Sequence, residues 1–338
     1  MLKSTLFLNR AVVKKKTWEE VFMRVKRGFK LVLLVLLSLS ISLVVYLQDY
    51  ELATYSRVLP ETSSNADLTF SVLSDIHSND SKLEEALIDL YKINPNKDAV
   101  ILNGDTVDQG LVSHYEDIKK TVNKSKRLLP EIVIRNIGNH EFLDYDNGTL
   151  APEQVQTYLD RYYEFSGEKK VYNDKWIKGY HFITLGTESG NTKELGAVKA
   201  FISKEQLKWF EEKLAENYLE GRPIFVFLHQ HLSTAMKGWV GTDQAKEIDR
   251  ILSKYKEAVV FTSHTHVSFE ANNVFTDRPY TIVHTGGIAY QLTPDGKGGR
   301  TSEDGSQGIY VEVKGNTVTV RGRQFIKKKW MFEKTITK

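Results

Sequence analysis

The sequence predicts an α/β domain built on mixed β-sheets, and three observations carry the prediction. Apolar, β-rich runs alternate with helical patterns beyond residue 67, a strand pair with a tight turn closes the chain, and Asp, His and Asn recur where the apolar runs stop. Alternation of strand and helix argues parallel pairing. The closing hairpin argues antiparallel pairing, so the sheets are expected to be mixed.

Composition removes several other classes. The 338 residues include no cysteine, which excludes a disulfide scaffold and a thiolate metal site. With 22 Gly and 7 Pro the chain is neither collagen-like nor low-complexity. The net charge of +3 implies no polyanionic partner, and no nucleic acid is expected. The charge is unevenly placed: residues 1–30 hold nine Lys or Arg against Glu19 and Glu20, so the rest of the chain is mildly acidic.

The elements follow in order. Residues 1–30 form a basic segment expected in the cytoplasm. Residues 31–47 read LVLLVLLSLSISLVVYL, 17 residues without a charge. At about 1.5 Å per residue they span roughly 25 Å, the short end for a bilayer crossing. Lys30 can snorkel and lengthen the span. The basic flank lies before the run, so the positive-inside rule puts the remainder outside the cytoplasmic membrane. The expectation is a single-pass signal anchor. The alternative is secretion after signal cleavage, for which Glu51-Leu52-Ala53 is a poor site. Residues 48–67 are polar and aperiodic and read as a linker to a domain over 68–338.

Within that domain, strands are expected at 68–73, 99–102, 132–137, 180–185, 224–228, 258–262 and 280–283. A helix follows Ser81, with Glu84 completing a capping box and Leu83, Ala86, Leu87, Leu90 and Tyr91 on one face. A second follows Ser203, with Gln206 three residues on and Leu207, Phe210 and Leu214 inward. A third starts near Asp243 and presents Ala245, Ile248, Leu252 and Tyr255. The closing hairpin pairs 308–313 with 317–320 about Gly315-Asn316. The segments 110–127, 143–178 and 186–200 are long and polar and are expected to be specificity loops, with aromatics such as Tyr145, Tyr158, Tyr162 and Trp176.

Five of these strands run into polar clusters: Asp75-Ile76-His77, Gly104-Asp105-Thr106-Val107-Asp108, Gly138-Asn139-His140-Glu141, His229-Gln230-His231 and Ser263-His264-Thr265-His266. The carboxyl edge of an open α/β sheet is where ligands bind. Carboxylate, imidazole and amide oxygen together suit divalent metals of intermediate hardness. In extended chain, residues two apart point to one side, so Asp75 and His77 can share an ion, as can His264 and His266 unless a turn aims those two at neighbouring ions. The ligands are too many for one tetrahedral site. A pair of ions bridged by a carboxylate would use them all, and Asp105 is the natural bridge because Gly104 permits a tight turn before it.

This constellation resembles the calcineurin-like metallophosphoesterase superfamily. The family's order of D-x-H, G-D-x-x-D, G-N-H-[ED], a lone His and G-H-x-H is present throughout, with Ser263 in place of the last glycine. The small serine is expected to need only local backbone adjustment. The resemblance implies a four-layer αββα sandwich and two divalent ions, with Mn, Fe, Zn or Co all compatible. It implies a first metal held by Asp75, His77, Asp105 and His266 and a second held by Asp105, Asn139, His229 and His264. It further implies that Asp108 orients His140, and that His140 protonates the leaving oxygen while a metal-bridging hydroxide attacks phosphorus in line. The block order is more similar to the bacterial cyclic-nucleotide phosphodiesterase-like branch than to protein phosphatases, because no arginine follows Asp108.

The expected substrate is a small-molecule or envelope phosphodiester. A phosphomonoesterase is the enzyme alternative, and a non-catalytic metal-binding surface module is the alternative of another class. Residues with weaker signals are weighed beside these. His229 follows its strand directly and is favoured as ligand over His231, which is assigned to the substrate side or to structure. His284, before Gly286-Gly287, could contact phosphate or be a hydrogen-bonded structural histidine. His114 and His181 read as ordinary histidines, and Glu141 as a brace for its loop through backbone amides. Trp239 and Tyr290 could stack on a base or belong to the core. The run 321–329 with Trp330 reads as a solvated, lysine-bearing edge strand.

Overall fold

The computed structural model describes residues 21–26, 29–30, 32–34, 36–40, 42, 65–232, 240–295 and 299–338. The chain divides into two units, residues 1–59 and 60–338. In the first, the described residues between 21 and 42 are helical and exposed. Among the described residues no helix is long and apolar enough to cross a membrane. Much of the expected anchor (residues 31, 35, 41 and 43–47), the linker up to residue 64 and Trp239 lie outside the described residues.

The second unit is the α/β domain. One six-stranded sheet has the order β14-β13-β12-β1-β2-β3, with β1 Leu68–Leu73, β2 Ala99–Asn103, β3 Ile132–Asn136, β12 Gln307–Lys314, β13 Thr317–Gln324 and β14 Lys329–Thr337. The other has the order β4-β5-β6-β7-β9-β8, with β4 Asn173–Ile177, β5 Tyr180–Leu185, β6 Ile224–Leu228, β7 Ala258–Thr262, β8 Val274–Phe275 and β9 Thr281–His284. A short antiparallel pair, β10 Gln291–Pro294 and β11 Arg300–Glu303, stands apart. Both sheets are mixed. β1, β2 and β3 pair in parallel and β12 joins β1 antiparallel, whereas β5, β6, β7 and β9 pair in parallel between antiparallel edges.

Three apolar clusters define the layers. Between the sheets, Phe70 sits edge-on to Phe182, Phe225, Phe227 and Phe261 at ring-centroid distances of 4.9–6.2 Å. Edge-on packing sets the positive ring rim against a negative face, and each buried ring contributes about 1.5–3 kcal/mol. The outer face of the first sheet is covered by α1 Asp80–Ile93, α2 Val112–Lys124 and α3 Pro152–Ser166. That of the second is covered by α4 Lys204–Ala215 and α5 Ala245–Leu252. The result is the expected four-layer αββα sandwich.

Differences from the sequence reading are local and have physical reasons. α1 is capped by Asn79, whose side chain accepts from Lys82 N at 3.3 Å, so the helix starts ahead of the Ser81 box. The expected loops at 110–127 and 143–178 are largely helices: α2 buries Tyr115 and Ile118, and α3 buries Val155, Tyr158, Leu159, Tyr162 and Phe165. Those tyrosines are core residues: aromatics at helical spacing on a polar background here mark a buried helix face, not a loop. Ser203 caps α4, accepting from Gln206 N at 3.1 Å, but the Gln206 amide turns inward to bond both N and O of Gly186. β14 forms the edge, with Arg321 and Arg323 laid over Trp330 and Arg323 forked onto buried Asp89.

Candidate active site

The metal-ligating clusters lie where the parallel strands of both sheets end. Asn103 closes β2 and its amide donates to Ser263 Oγ at 2.8 Å beyond β7, which joins the carboxyl edges of the two sheets. The loops that leave these strands are strained. Asp75, His77, Asp105, His264 and His266 all have positive φ, between 48 and 75°. Non-glycine residues held there mark a site that its surroundings over-determine. The loops interlock through Ile76 N to Asp105 O at 2.8 Å and His77 N to Asp105 O at 3.0 Å.

Two glycines are required by close approach. At Gly104 (φ +86°) a Cβ would stand 2.6 Å from the His229 ring, and at Gly138 one would stand 2.3 Å from Asp105 Oδ1. Side chains at either position would push the clusters apart.

Three sets of side chains offer ligand atoms within 4.8 Å of one another: Asp75, His77 and His266; His77, Asp105 and His140; and Asp105, His229 and His264. Asp105 and His77 each belong to two of them. Each aspartate is divided in its duties. Asp105 Oδ1 accepts the His140 amide at 2.9 Å, while Oδ2 faces His229 Nε2 at 3.0 Å and His77 Nε2 at 4.0 Å. Asp75 Oδ2 accepts Ser74 Oγ at 2.7 Å, while Oδ1 is buried without a hydrogen-bond partner, 3.3 Å from His266 Nε2. Asn139 ties its amide nitrogen to Ala197 O at 3.2 Å and leaves Oδ1 buried and unpartnered.

The imidazole tautomers test whether cations fit. His229 Nδ1 donates to Asn103 O at 2.7 Å, and His266 Nδ1 donates to Tyr290 O at 3.2 Å. Neutral rings so tethered present Nε2 lone pairs inward, the second-sphere arrangement of metal-ligating histidines. The lone pair of His229 then meets the Asp105 carboxylate, and that of His266 meets His77 Nε2 at 3.0 Å. Facing acceptors at such distances need a proton or a cation between them, and the set of carboxylate, imidazole and amide oxygens fits divalent cations. The electrostatics agree. Against burial, the facing histidines hold Asp105 well below the ordinary carboxylate range and Asp75 below it too. His229 is opposed by burial yet pushed up to about 9 by Asp105 and Asp75, so without a cation its Nε2 holds a proton toward Asp105 Oδ2, in the place a cation would take. Burial, with His229 beside it, drives His264 down to about 3 and keeps it neutral.

His140 and Asp108 meet differently from the expectation. The ring nitrogen Nδ1 donates to the Asp108 carbonyl oxygen at 2.8 Å, whereas the carboxylate lies 3.7 Å away, equally far from His77 Nδ1. The orienting atom of Asp108 is therefore its backbone oxygen. Burial lowers the His140 pKa against the pull of Asp105. The Asp108 carboxylate instead accepts the hydroxyl of exposed Tyr145 at 3.2 Å.

Glu141 is a brace. Its carboxylate accepts three backbone amides, Thr106 and Gly138 at 2.8 Å and Asp105 at 3.1 Å, which fastens two ligand loops together. Burial and the charge of Asp105 push its pKa up to about 7. His284 does not reach a substrate face. It is buried, with Thr262 Oγ1 on Nδ1 at 3.0 Å and Thr265 Oγ1 on Nε2, so the substrate contact expected of it is corrected to support of the residue between His264 and His266. His231 is likewise buried, its ring centroid 6.3 Å from that of His264. Tyr290 stacks on His266 at 4.0 Å rather than lying in the core.

Other residues of the site went unread in the sequence. β2 and β3 are apolar runs that each end in asparagine, and Asn103 pairs with Asn136 across the sheet. A polar residue closing a buried strand was the available signal. Ser74 and Thr285 carry no such signal.

Comparison with known proteins agrees with this geometry. The family model for calcineurin-like phosphoesterases matches residues 68–268, more than half of the chain. A protein described as a probable cyclic nucleotide phosphodiesterase, from Rhodococcus erythropolis, is 22% identical over 232 residues, covering 68% of this chain and 70% of its own. A cAMP/cGMP dual specificity phosphodiesterase from Mycobacterium tuberculosis is 25% identical over 239 residues, covering 68% and 66%. In fold, the chain is similar to a dimetal phosphatase from Danio rerio (TM-score 0.55, 12% identity, 80% of this chain and 99% of that one). It is also similar to a purple acid phosphatase from yellow lupin (TM-score 0.58, 12% identity, 82% and 55%). On these matches and on the donor set assembled at the carboxyl edges of its sheets, the chain belongs to the calcineurin-like phosphoesterase family and is a metal-dependent phosphoric ester hydrolase.

Proposed function

We propose that the domain hydrolyses a phosphodiester with two divalent cations, and that cyclic nucleotides, as in the names of the two bacterial relatives, are the first substrate class to test. The observation that carries this reading is Asp105, one oxygen tethered to an amide and the other turned between two sets of nitrogen ligands. Asp75, His77, Asp105 and His266 would hold one ion, and Asp105, Asn139, His229 and His264 the other. Bound there, the pair would lower the pKa of solvent water and offset phosphoryl charge. The chain's own groups do the rest. The tethered carboxylates and imidazoles bring pre-ordered charge to the reacting centre. His140, held through Nδ1 by the Asp108 carbonyl, is positioned to carry a proton at Nε2 for the departing oxygen. Tyr145, exposed beside Asp108, borders the substrate side.

The test is hydrolysis of bis(p-nitrophenyl) phosphate, p-nitrophenyl phosphate and cyclic AMP by the purified chain with Mn²⁺, with and without chelator. Chelator-sensitive turnover of the diesters is expected, lost in Asp105→Asn and strongly reduced in His140→Ala. Turnover of the monoester alone would make it a phosphomonoesterase, and inactivity on all three would favour a binding module.

We also propose that residues 31–47 anchor the chain and that the domain works outside the cytoplasmic membrane. The uncharged run and the basic residues before it support this. Protease added to intact cells should cut the domain away, and protection would reverse the topology.

A further inference from the structure

A buried chain of hydrogen bonds ends on the free-standing ligand Asp75, and its direction can be worked out link by link. Ile137 N–H donates to Asn136 Oδ1 at 3.0 Å, which turns Asn136 Nδ2 toward Asn103 Oδ1 at 3.1 Å. Asn103 Nδ2 therefore faces Ser263 Oγ, at 2.8 Å. Having accepted there, Ser263 donates to its other neighbour, Thr285 Oγ1, at 2.7 Å. Thr285 in turn donates to Ser74 Oγ at 2.8 Å, and Ser74 donates to Asp75 Oδ2 at 2.7 Å, with Gly286 O a longer alternative at 3.2 Å. Every side chain in the sequence of links is at most 1% exposed, so water does not compete for these bonds.

The chain runs from the ends of β3 and β2 across to the ends of β7 and β9 and back to the end of β1. Its effect is on one oxygen. Ser74 Oγ and the His264 amide, at 3.4 Å, both engage Asp75 Oδ2, which leaves Oδ1 turned toward His266 Nε2 and, at 3.9 Å, His229 Nε2. Without the hydroxyl of Ser263, Thr285 would lose the donor that polarises its own bond to Ser74, and Ser74 would hold the carboxylate less firmly. Ser263 stands where the related pattern has glycine, and its φ is not in the left-handed region, so the serine is accommodated without strain.

We propose that Ser74, Thr285 and Ser263 are positioning residues that fix the Asp75 carboxylate for its cation, with Ser263 supporting Ser74 through Thr285. The proposal rests on the reading that Asp75, His77 and His266 hold a cation. The experiment titrates the metal-stripped full chain with Mn²⁺ and follows free Mn²⁺ by electron paramagnetic resonance. Ser74→Ala weakens one class of sites by about 10–100-fold, as losses of second-sphere partners do. Thr285→Val and Ser263→Gly weaken the same class by several-fold, and Thr285→Ser restores it. The Ser74→Ala/Thr285→Val double variant binds no more weakly than Ser74→Ala alone, because Thr285 acts through Ser74. Unchanged affinity in Ser74→Ala, or losses that multiply in the double variant, would overturn the relay. Should Ser74→Ala not fold, equal Mn²⁺ affinity of Thr285→Val, Thr285→Ser and the unaltered chain would overturn it as well. An unaltered chain that binds no Mn²⁺ would remove the cation reading itself, and the relay with it.

Discussion

Glu141→Gln isolates what the buried carboxylate does. In the structure Oε1 accepts Thr106 N–H, and Oε2 accepts both Asp105 N–H and Gly138 N–H. Glutamine has the same shape but only one acceptor oxygen. Placed at Oε2, that oxygen keeps two bonds and turns its NH₂ group against Thr106 N–H. One buried amide is left without an acceptor, and two bonds to a charged acceptor become bonds to a neutral one. An orphaned buried donor costs about 1–3 kcal/mol. Neutral glutamine also removes the repulsion between Glu141 and Asp105, which gives part of this back. The expected net loss is about 2 kcal/mol, or a drop of roughly 3–4 °C in melting temperature for a domain of this size. Urea and thermal denaturation of the full chain measure it, and Mn²⁺ titration should show weakened binding because Asp105 and Gly138 lie in two ligand loops. Stability unchanged to within about 0.5 kcal/mol, with activity alone abolished, would refute the brace and give Glu141 a direct part in the chemistry.

Other outcomes follow from single features of the structure. Lys97 is buried, with its ammonium donating to Leu128 O at 3.2 Å and lowered by burial to about 8. A lysine so depressed costs stability in full below pH 8, and the cost fades as pH rises toward its unfolded value near 10.5, so stability should rise over that window. Lys97→Met should gain at pH 7 by about 1–2 kcal/mol, the roughly 3 kcal/mol implied by the depressed pKa less the lost hydrogen bond. Its advantage should shrink by pH 10 in paired urea titrations. Gly138→Ala should fold but lose Mn²⁺ binding, because its Cβ would meet Asp105 Oδ1 at 2.3 Å, and retained binding by calorimetry would contradict that geometry. Mn²⁺ at about 100 times its Kd should stabilise the domain by about 2.7 kcal/mol for each site filled, and chelator should remove the gain in a thermal melt.

How much of this was legible in the sequence depended on which signal each residue carries. The strands that deliver the site are short apolar runs closed by Asp, His or Asn, and β1, β5, β6 and β7 begin and end where the residues predict. Their register brings the Asp, His and Asn side chains together, so the candidate site could be read from the chain. Glu141 was also legible, as an acidic residue beside loops rich in free amides. α2 and α3 were not. Their outward faces are charged, and Tyr158 and Tyr162 lie at a spacing of four among polar neighbours, so they resembled ornaments of a binding loop while being core. The edge strand expected at 321–329 is displaced to β14, because residues 321–324 continue β13 inside the sheet and Arg323 is buried. The hydroxyl relay is invisible to any local pattern. Ser74 and Thr285 are 211 residues apart and acquire meaning only when β1 and β9 bring them within 2.8 Å. The Asp108 pairing failed at a finer level: the resemblance implied that Asp108 and His140 would meet, but not that a carbonyl would do the holding.

The central claim is that Asp105 stands between two cations. Anomalous diffraction from Mn²⁺-loaded crystals at the manganese edge tests it most directly. The account predicts two peaks, one among Asp75, His77 and His266 and one among Asn139, His229 and His264, each within ligand distance of Asp105. A single peak, or two that do not share Asp105, would contradict it.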